Sequence, residues 1–304
     1  MSRTRTRTWA PPGPYDLLRT LGVLGRGPGD PAYRVEAGTV WRASRTPDGP
    51  ATVRIAARPA EGCVEAEAWG PGADWMLDQL PSLLGGSDDP AAFTARHRIV
   101  HEAHRRNPGL RLARTGLVLE SLVPSILEQK VTSDEAYRAW RLLLQRFGEP
   151  APGPHERLRV MPDPRGWAMI PSWEWHRAGV DAKRSDTVVR AARVARRLEE
   201  AAHMDLPDAL HRLQLVQGIG PWTAAEVLQR SNGAPDALTL GDLHLPRIAV
   251  YALTGRTGGT DEEMVELLAP YEGQRHRATR LLLLSGRVPP RRAPRYSVRD
   301  IARL

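Results

Sequence analysis

Residues 213–225 read Leu213-Gln214-Leu215-Val216-Gln217-Gly218-Ile219-Gly220-Pro221-Trp222-Thr223-Ala224-Ala225. Gly218 and Gly220, one residue apart, open backbone angles closed to other residues, and Pro221 suits the first turn of a helix. The pattern predicts a helix, a tight hairpin and a second helix over 206–231. Without side chains at the turn, the amides that start the second helix can approach a phosphate directly, helped by the positive end of the helix dipole. Such a grip holds a nucleic-acid backbone without reading bases. A plain packing corner between two helices uses glycine in the same way, and Gly-Ile-Gly alone leaves both readings open.

The next informative segment is Thr239-Leu240-Gly241-Asp242-Leu243-His244-Leu245-Pro246-Arg247. Asp242 follows Gly220 by 22 residues, room for one helix and a loop. It stands where the N-cap of a further helix is expected, held ionised by amides and dipole. It is either a plain cap or an anion set beside a substrate that develops positive charge.

The rest of the chain falls into a sheet-forming part and a helical part. Val35, Ala37 and Thr39, then Val53, Ile55 and Ala57, then Val64, Ala66 and Ala68 recur with the period of two of half-buried strands. Beyond Pro90 the spacing is helical, with helices expected to begin near Pro90, Leu117, Ser133, Asp186, Leu206, Pro221, Leu243, Asp261 and Gln274. The stretch EPAPGPHERLRVMPDPRGW reads as a loop-like linker. The expected division is a flexible basic tail (1–13), an α+β lobe (14–90), a helical core (91–286) and a second basic tail (287–304).

Composition narrows the partners. The chain has 304 residues, 41% of them hydrophobic, and a net charge of +8, which directs attention to a polyanion. Cys63 is the only cysteine, so a four-cysteine iron–sulfur cluster, a cysteine-based zinc site and an internal disulfide are not expected. His97, His101 and His104 have chelating spacings but no carboxylate or cysteine set beside them, and read as an exposed polar face. No stretch approaches the roughly 20 apolar residues of a membrane span. A soluble, cytoplasmic protein is expected, nucleoid-associated if bacterial, with no membrane partner. The only lysines are Lys130 and Lys183, so any lysine-dependent chemistry has two candidates.

Taken in order, these motifs resemble the helix-hairpin-helix DNA glycosylases, and within them the 3-methyladenine DNA glycosylase II type. LVQGIGPWTA is similar to the family hairpin and TLGDLHL to its catalytic aspartate segment. SILEQKVTSDEAYRAWRLLLQRFGE (125–149) resembles the helix bearing the duplex-probing residues, and the amino-terminal strands resemble an extra lobe that precedes the helical core. The fold so implied is α+β: a small antiparallel-sheet lobe followed by an all-α glycosylase core in two helical subdomains divided by a DNA-binding cleft.

The resemblance implies hydrolysis of the N-glycosidic bond of a damaged, alkylated base rotated out of double-stranded DNA, leaving an abasic site. Asp242 takes the catalytic role. Gly218, Ile219, Gly220, Trp222 and Thr223 contact DNA at the hairpin, and Gln129 and Lys130 fill the gap left by the rotated nucleotide. Strand-cutting relatives place a lysine nucleophile where this chain has Trp222, so a monofunctional, monomeric enzyme without lyase activity is implied. In the resembled type several aromatic rings line the base pocket; here Trp222 keeps one position, the others read Glu226, Leu243 and Leu283, and Trp173 and Trp175 are further ring candidates. The carbonyls of Gln214, Val216 and Ile219 match those that hold a Na+ or K+ ion in family hairpins; no other cofactor is required. The alternatives are a noncatalytic DNA-damage or structure-binding protein, and a glycosylase for oxidised or deaminated bases. The terminal arginines, Arg3, Arg5 and Arg7 and then Arg287, Arg291, Arg292 and Arg295, are candidate phosphate contacts.

Overall fold

A computed structural model describes residues 5–290. Five antiparallel strands form the amino-terminal lobe: β1 (Arg5–Trp9), β2 (Tyr33–Glu36), β3 (Thr39–Thr46), β4 (Gly49–Arg58) and β5 (Cys63–Trp69), in the order β1-β5-β4-β3-β2. The period-two reading of β5 holds: Val64, Ala66 and Ala68 are buried, while Glu65 and Glu67 face outward. On that outer face Glu67 stands directly opposite Arg54, and Arg58 pairs with Glu65 at 2.8 Å.

Two expectations fail in this lobe. Residues 35–39 are not one strand, because Ala37 and Gly38 adopt φ of +48° and +77° and make the two-residue turn between β2 and β3. Nor is 1–13 simply a flexible tail. Its alternating Arg and Thr residues are a strand signal, and Arg5–Trp9 pairs along β5 in the register Arg5↔Ala68 to Trp9↔Val64. Arg5 pairs with Asp74, Arg7 donates to the Leu77 carbonyl at 2.8 Å, and Trp9 packs edge-on against Tyr15.

The helical part has two cores. One is built by Val118–Leu127, Ser133–Phe147, Ala182–Arg193 and the hairpin helices Leu206–Gln214 and Pro221–Ser231. The other joins Arg98–Arg106, Leu245–Thr254, Asp261–Leu268 and Arg275–Leu284. The segment carrying Asp242 crosses from the first core to the second.

Local chemistry shifts several helix starts. Asp181, not Asp186, caps the Ala182 helix by accepting from the Arg184 amide at 3.0 Å. Thr132 forms a capping box with Glu135, so the Ser133 helix starts one residue later than its cap. The helix expected near Pro90 begins at Arg98, because Asp89 folds its carboxylate onto the amides of Ala91 and Ala92 as a turn. The presumed linker is ordered: Glu149–Pro150 pairs with Arg159–Val160, and Pro164–Ala168 is a helix whose fully buried Trp167 stacks between Trp140 and Trp175.

The almost wholly buried Val118–Leu127 helix is capped from afar, Glu199 accepting from the amides of Val118 and Leu119 at 2.8 Å each. It packs against the second hairpin helix. Asp30 locks the lobe to this core: its buried carboxylate accepts from the amides of Arg26 and Ala32 and from Trp140 Nε1 at 2.8 Å.

Candidate active site and hairpin

The hairpin forms as its glycines predict, but the two glycines do different work. Gly218 has φ of +99°, and a Cβ there would lie 2.2 Å from Thr187 Oγ1, so the position admits only glycine. Gly220 is the N-cap of the second helix with extended backbone, and a Cβ there would meet open space. The bare surface at Gly220 leaves the first-turn amides of the Pro221 helix open to an approaching anion.

Gln129 ties the turn after Leu127 to this hairpin. Its Nε2 donates to the Gly218 carbonyl at 3.0 Å and to Thr223 Oγ1 at 2.8 Å. The stretch 125–149 thus spans the end of one expected helix and the start of the next: residues 128–131 between them are a turn, and Lys130 projects from it, exposed, with φ of +56°. Ile219 and Thr223 are buried, so their side chains offer no surface at the hairpin. The Val216 carbonyl accepts from the Ile219 amide at 3.0 Å, whereas those of Gln214 and Ile219 accept no hydrogen bond among the described residues. These free oxygens fit a monovalent cation.

Asp242 lines a cavity of about 330 Å³ between the two helical cores. Its Oδ1 accepts from the amides of His244 and Leu245, both at 2.8 Å, at the start of the Leu245 helix. Its Oδ2 accepts from Trp222 Nε1 at 2.9 Å. Burial pulls the carboxyl's pKa up, but the Trp222 indole and the two amides outweigh burial and hold it below the usual aspartate range. Asp242 is not the N-cap expected from the sequence: His244 holds that position, and Asp242, two residues earlier, accepts the His244 and Leu245 amides from outside the helix while it lines the cavity. A carboxylate has about four lone-pair sites, so these three donors leave one on Oδ2 for a water or a sugar atom.

Two helical faces supply most of the remaining wall. Glu226, Gln229 and Arg230 share one face of the second hairpin helix, and His276, Thr279, Arg280 and Leu283 share one face of the last helix. Glu226, expected as a pocket or solvent residue, does line the cavity, where it pairs with Arg230 at 2.7 Å and accepts from Thr239 Oγ1 at 2.9 Å. The lobe contributes Val23, whose carbonyl accepts from Arg230 Nε at 3.0 Å.

The aromatic candidates do not meet here. Trp175 is a core residue stacked on Trp167, Trp173 is 65% exposed, Leu243 is exposed, and Trp222 reaches the site through Asp242 instead of lining the cavity. Trp173 and Trp175 lie on a helix that contributes nothing to this cavity, whereas Leu283, another position drawn from the resemblance, does line it. Arg230, His276 and Arg280 were missed, although the spacing 276, 279, 280, 283 is a helical stripe whose polar members interrupt an otherwise apolar end.

Among the described residues no cluster of His, Cys, Asp and Glu has the makings of a metal site. His97 is bonded to the Tyr271 hydroxyl at 2.8 Å, and His104 packs edge-on against Phe93. Among the described residues no helix is long and apolar enough to cross a membrane. Of the terminal arginines, Arg287 lies over the Tyr251 ring, while Arg3, Arg291, Arg292 and Arg295 fall outside the described residues, as does most of the 287–304 segment.

No protein-family model matches the chain. A protein of Bacillus subtilis (strain 168) described as DNA-3-methyladenine glycosylase is 25% identical over 179 residues, 58% of this chain and 59% of that protein. The match thus spans about three fifths of the relative's length. The 3-methyladenine DNA glycosylase from Archaeoglobus fulgidus superposes with a TM-score of 0.72 at 20% identity, covering 92% of this chain and 98% of that one. The 8-oxoguanine glycosylase/lyase of Clostridium acetobutylicum, in complex with double-stranded DNA, superposes with a TM-score of 0.70 at 11% identity, covering 90% and 92%. The chain has the helix-hairpin-helix glycosylase fold. In these terms the Gly218–Gly220 turn is the hairpin, the sheet is the accessory lobe, and the cavity at Asp242 lies in the cleft between the two helical halves of the glycosylase core.

Proposed function

We propose that this chain is a monofunctional DNA glycosylase that hydrolyses the N-glycosidic bond of a damaged base, alkylated bases foremost, rotated out of double-stranded DNA, leaving an abasic site. The observation that carries the reading is Asp242, ionised by three donors and still open at Oδ2, on the wall of a cavity beside a glycine-built anion grip. As the bond breaks the sugar gains oxocarbenium character, and a fixed carboxylate stabilises it and orients the attacking water. The hairpin amides at Gly220, Trp222 and Thr223 hold a phosphate, with a Na+ or K+ ion on the Gln214, Val216 and Ile219 carbonyls in support. Gln129 positions the turn from which Lys130 reaches into the duplex.

Covalent catalysis with strand cleavage needs an amine near the sugar. Trp222 stands at the position of that lysine, and neither Lys130 nor Lys183 lines the cavity. The test is a set of duplexes carrying single alkylated, deaminated or oxidised bases, incubated with the protein and then cleaved with alkali. Alkali-sensitive sites without borohydride-trapped protein are expected. A trapped covalent complex would contradict the monofunctional reading, and no alkali-sensitive site on any lesion would leave a DNA-damage binding protein.

A further inference from the structure

The buried His276, with Arg230 and Arg280, lines the cavity and feels the charges of Arg280, Arg230 and Arg277. Arg230 is matched by Glu226 and Arg277 by Asp88. Arg280 has no carboxylate within ion-pairing distance among the described residues; its Nη2 donates to the Arg19 carbonyl at 3.2 Å, and the side chain lines the cavity together with Asp242. Burial, then the charges of Arg230 and Arg277, lower its pKa to about 10, which keeps it cationic at neutral pH. Burial and the same arginines hold His276 neutral.

Among the described residues no Phe, Tyr or Trp lines this cavity. The stacking that favours a positively charged base is therefore missing, and an unmatched guanidinium repels one. An uncharged base is affected in the opposite way. When its bond to C1′ breaks, the bonding pair leaves with the base, which becomes an anion. A base that already carries a positive charge departs neutral and gains nothing from a nearby cation.

We propose that Arg280 makes this site selective for uncharged lesions whose base departs as an anion, and against N-alkylated bases that carry a positive charge. Its free N–H groups meet the acceptor edge of the base and stabilise the charge that builds there. In balance, the C1′–N pair passes to the base, a water oxygen bonds to C1′ beside Asp242, and one water proton neutralises the released base. The inference rests on the glycosylase reading of the cavity and revises its substrate class: cationic methylated bases are disfavoured, and among alkylated bases only uncharged adducts such as 1,N6-ethenoadenine remain favoured.

The test compares three duplexes under single-turnover conditions, carrying hypoxanthine, 1,N6-ethenoadenine (both uncharged) or 7-methylguanine (positively charged). Wild type is expected to excise at least one uncharged base faster than 7-methylguanine. Arg280→Gln should slow that excision by about tenfold or more without slowing 7-methylguanine, and Arg280→Lys should retain most of the preference. Preference of the wild type for 7-methylguanine, or equal slowing of all three duplexes by Arg280→Gln, or no slowing of any, would overturn the proposal. If Arg280→Gln does not fold, the wild-type order of the three duplexes decides. Wild type that binds these and other lesion duplexes but excises nothing contradicts the glycosylase reading itself, a result distinct from excision confined to the charged base.

Discussion

The indole N–H of Trp222 donates to Asp242 Oδ2 at 2.9 Å, joining the first turn of the second hairpin helix to the carboxylate in the cavity wall. The hairpin proposed to grip DNA and the carboxylate proposed to stabilise the sugar are thus mechanically one unit. A side chain that is bulky and uncharged, where a nucleophilic lysine would stand, orients the anion.

Trp222→Phe removes that donor, and with it the largest influence that lowers the Asp242 pKa. The carboxyl of the variant should therefore titrate at higher pH than in wild type, which a carbon-13 titration of aspartate-labelled protein reads directly. The sign for stability follows. A folded-state pKa held below the unfolded one contributes stability above the usual aspartate range, and that contribution is lost as pH falls through the folded value. Wild type and Trp222→Phe should converge in stability on acidification. Identical Asp242 titrations in the two proteins would show that the indole bond does not tune the anion.

The hairpin glycines separate folding from binding. Gly218→Ala forces a Cβ against Thr187 and a left-handed backbone on alanine, and should cost more than about 1 kcal/mol by denaturant titration. Gly220→Asp places a good N-cap residue in open space, so stability should hold or rise by a few tenths of a kcal/mol. Its charge would meet a phosphate, so DNA affinity should fall. Unchanged affinity in Gly220→Asp would make the hairpin a packing corner.

Lys130 holds a left-handed backbone at about 1–2 kcal/mol of strain. Lys130→Gly relieves it and gives back part through chain entropy, so stability should stay within about 1 kcal/mol. Excision from duplex should slow more than excision from single-stranded DNA. Equal rates for wild type and variant on duplex would remove Lys130 from the gap-filling role.

Much of this was readable from residues. Gly218, Gly220 and Pro221 specify the hairpin through backbone freedom, and the Val64-Ala66-Ala68 alternation specifies β5 through its period. Asp242 was legible because a carboxylate before Leu245-Pro246 has the amides of a helix start to bind. The rest depends on long-range placement. The Arg5–Trp9 strand needs β5 as a partner 60 residues away, and Glu199 caps a helix 80 residues earlier. Trp173 and Trp175 differ by two residues, which on a helix sends one into the core and the other to solvent. Arg280 finds no carboxylate partner among the described residues because Glu226, the acid beside it in the cavity, is paired with Arg230.

Asp242→Asn is the most direct test of the central claim. Asparagine keeps an oxygen for the amides of His244 and Leu245, so the cap and the fold should survive with less than about 1 kcal/mol of loss. Without the negative charge, single-turnover excision should fall by about 100-fold or more, while affinity for the same lesion duplex is retained. Undiminished excision by a folded Asp242→Asn protein would contradict the account.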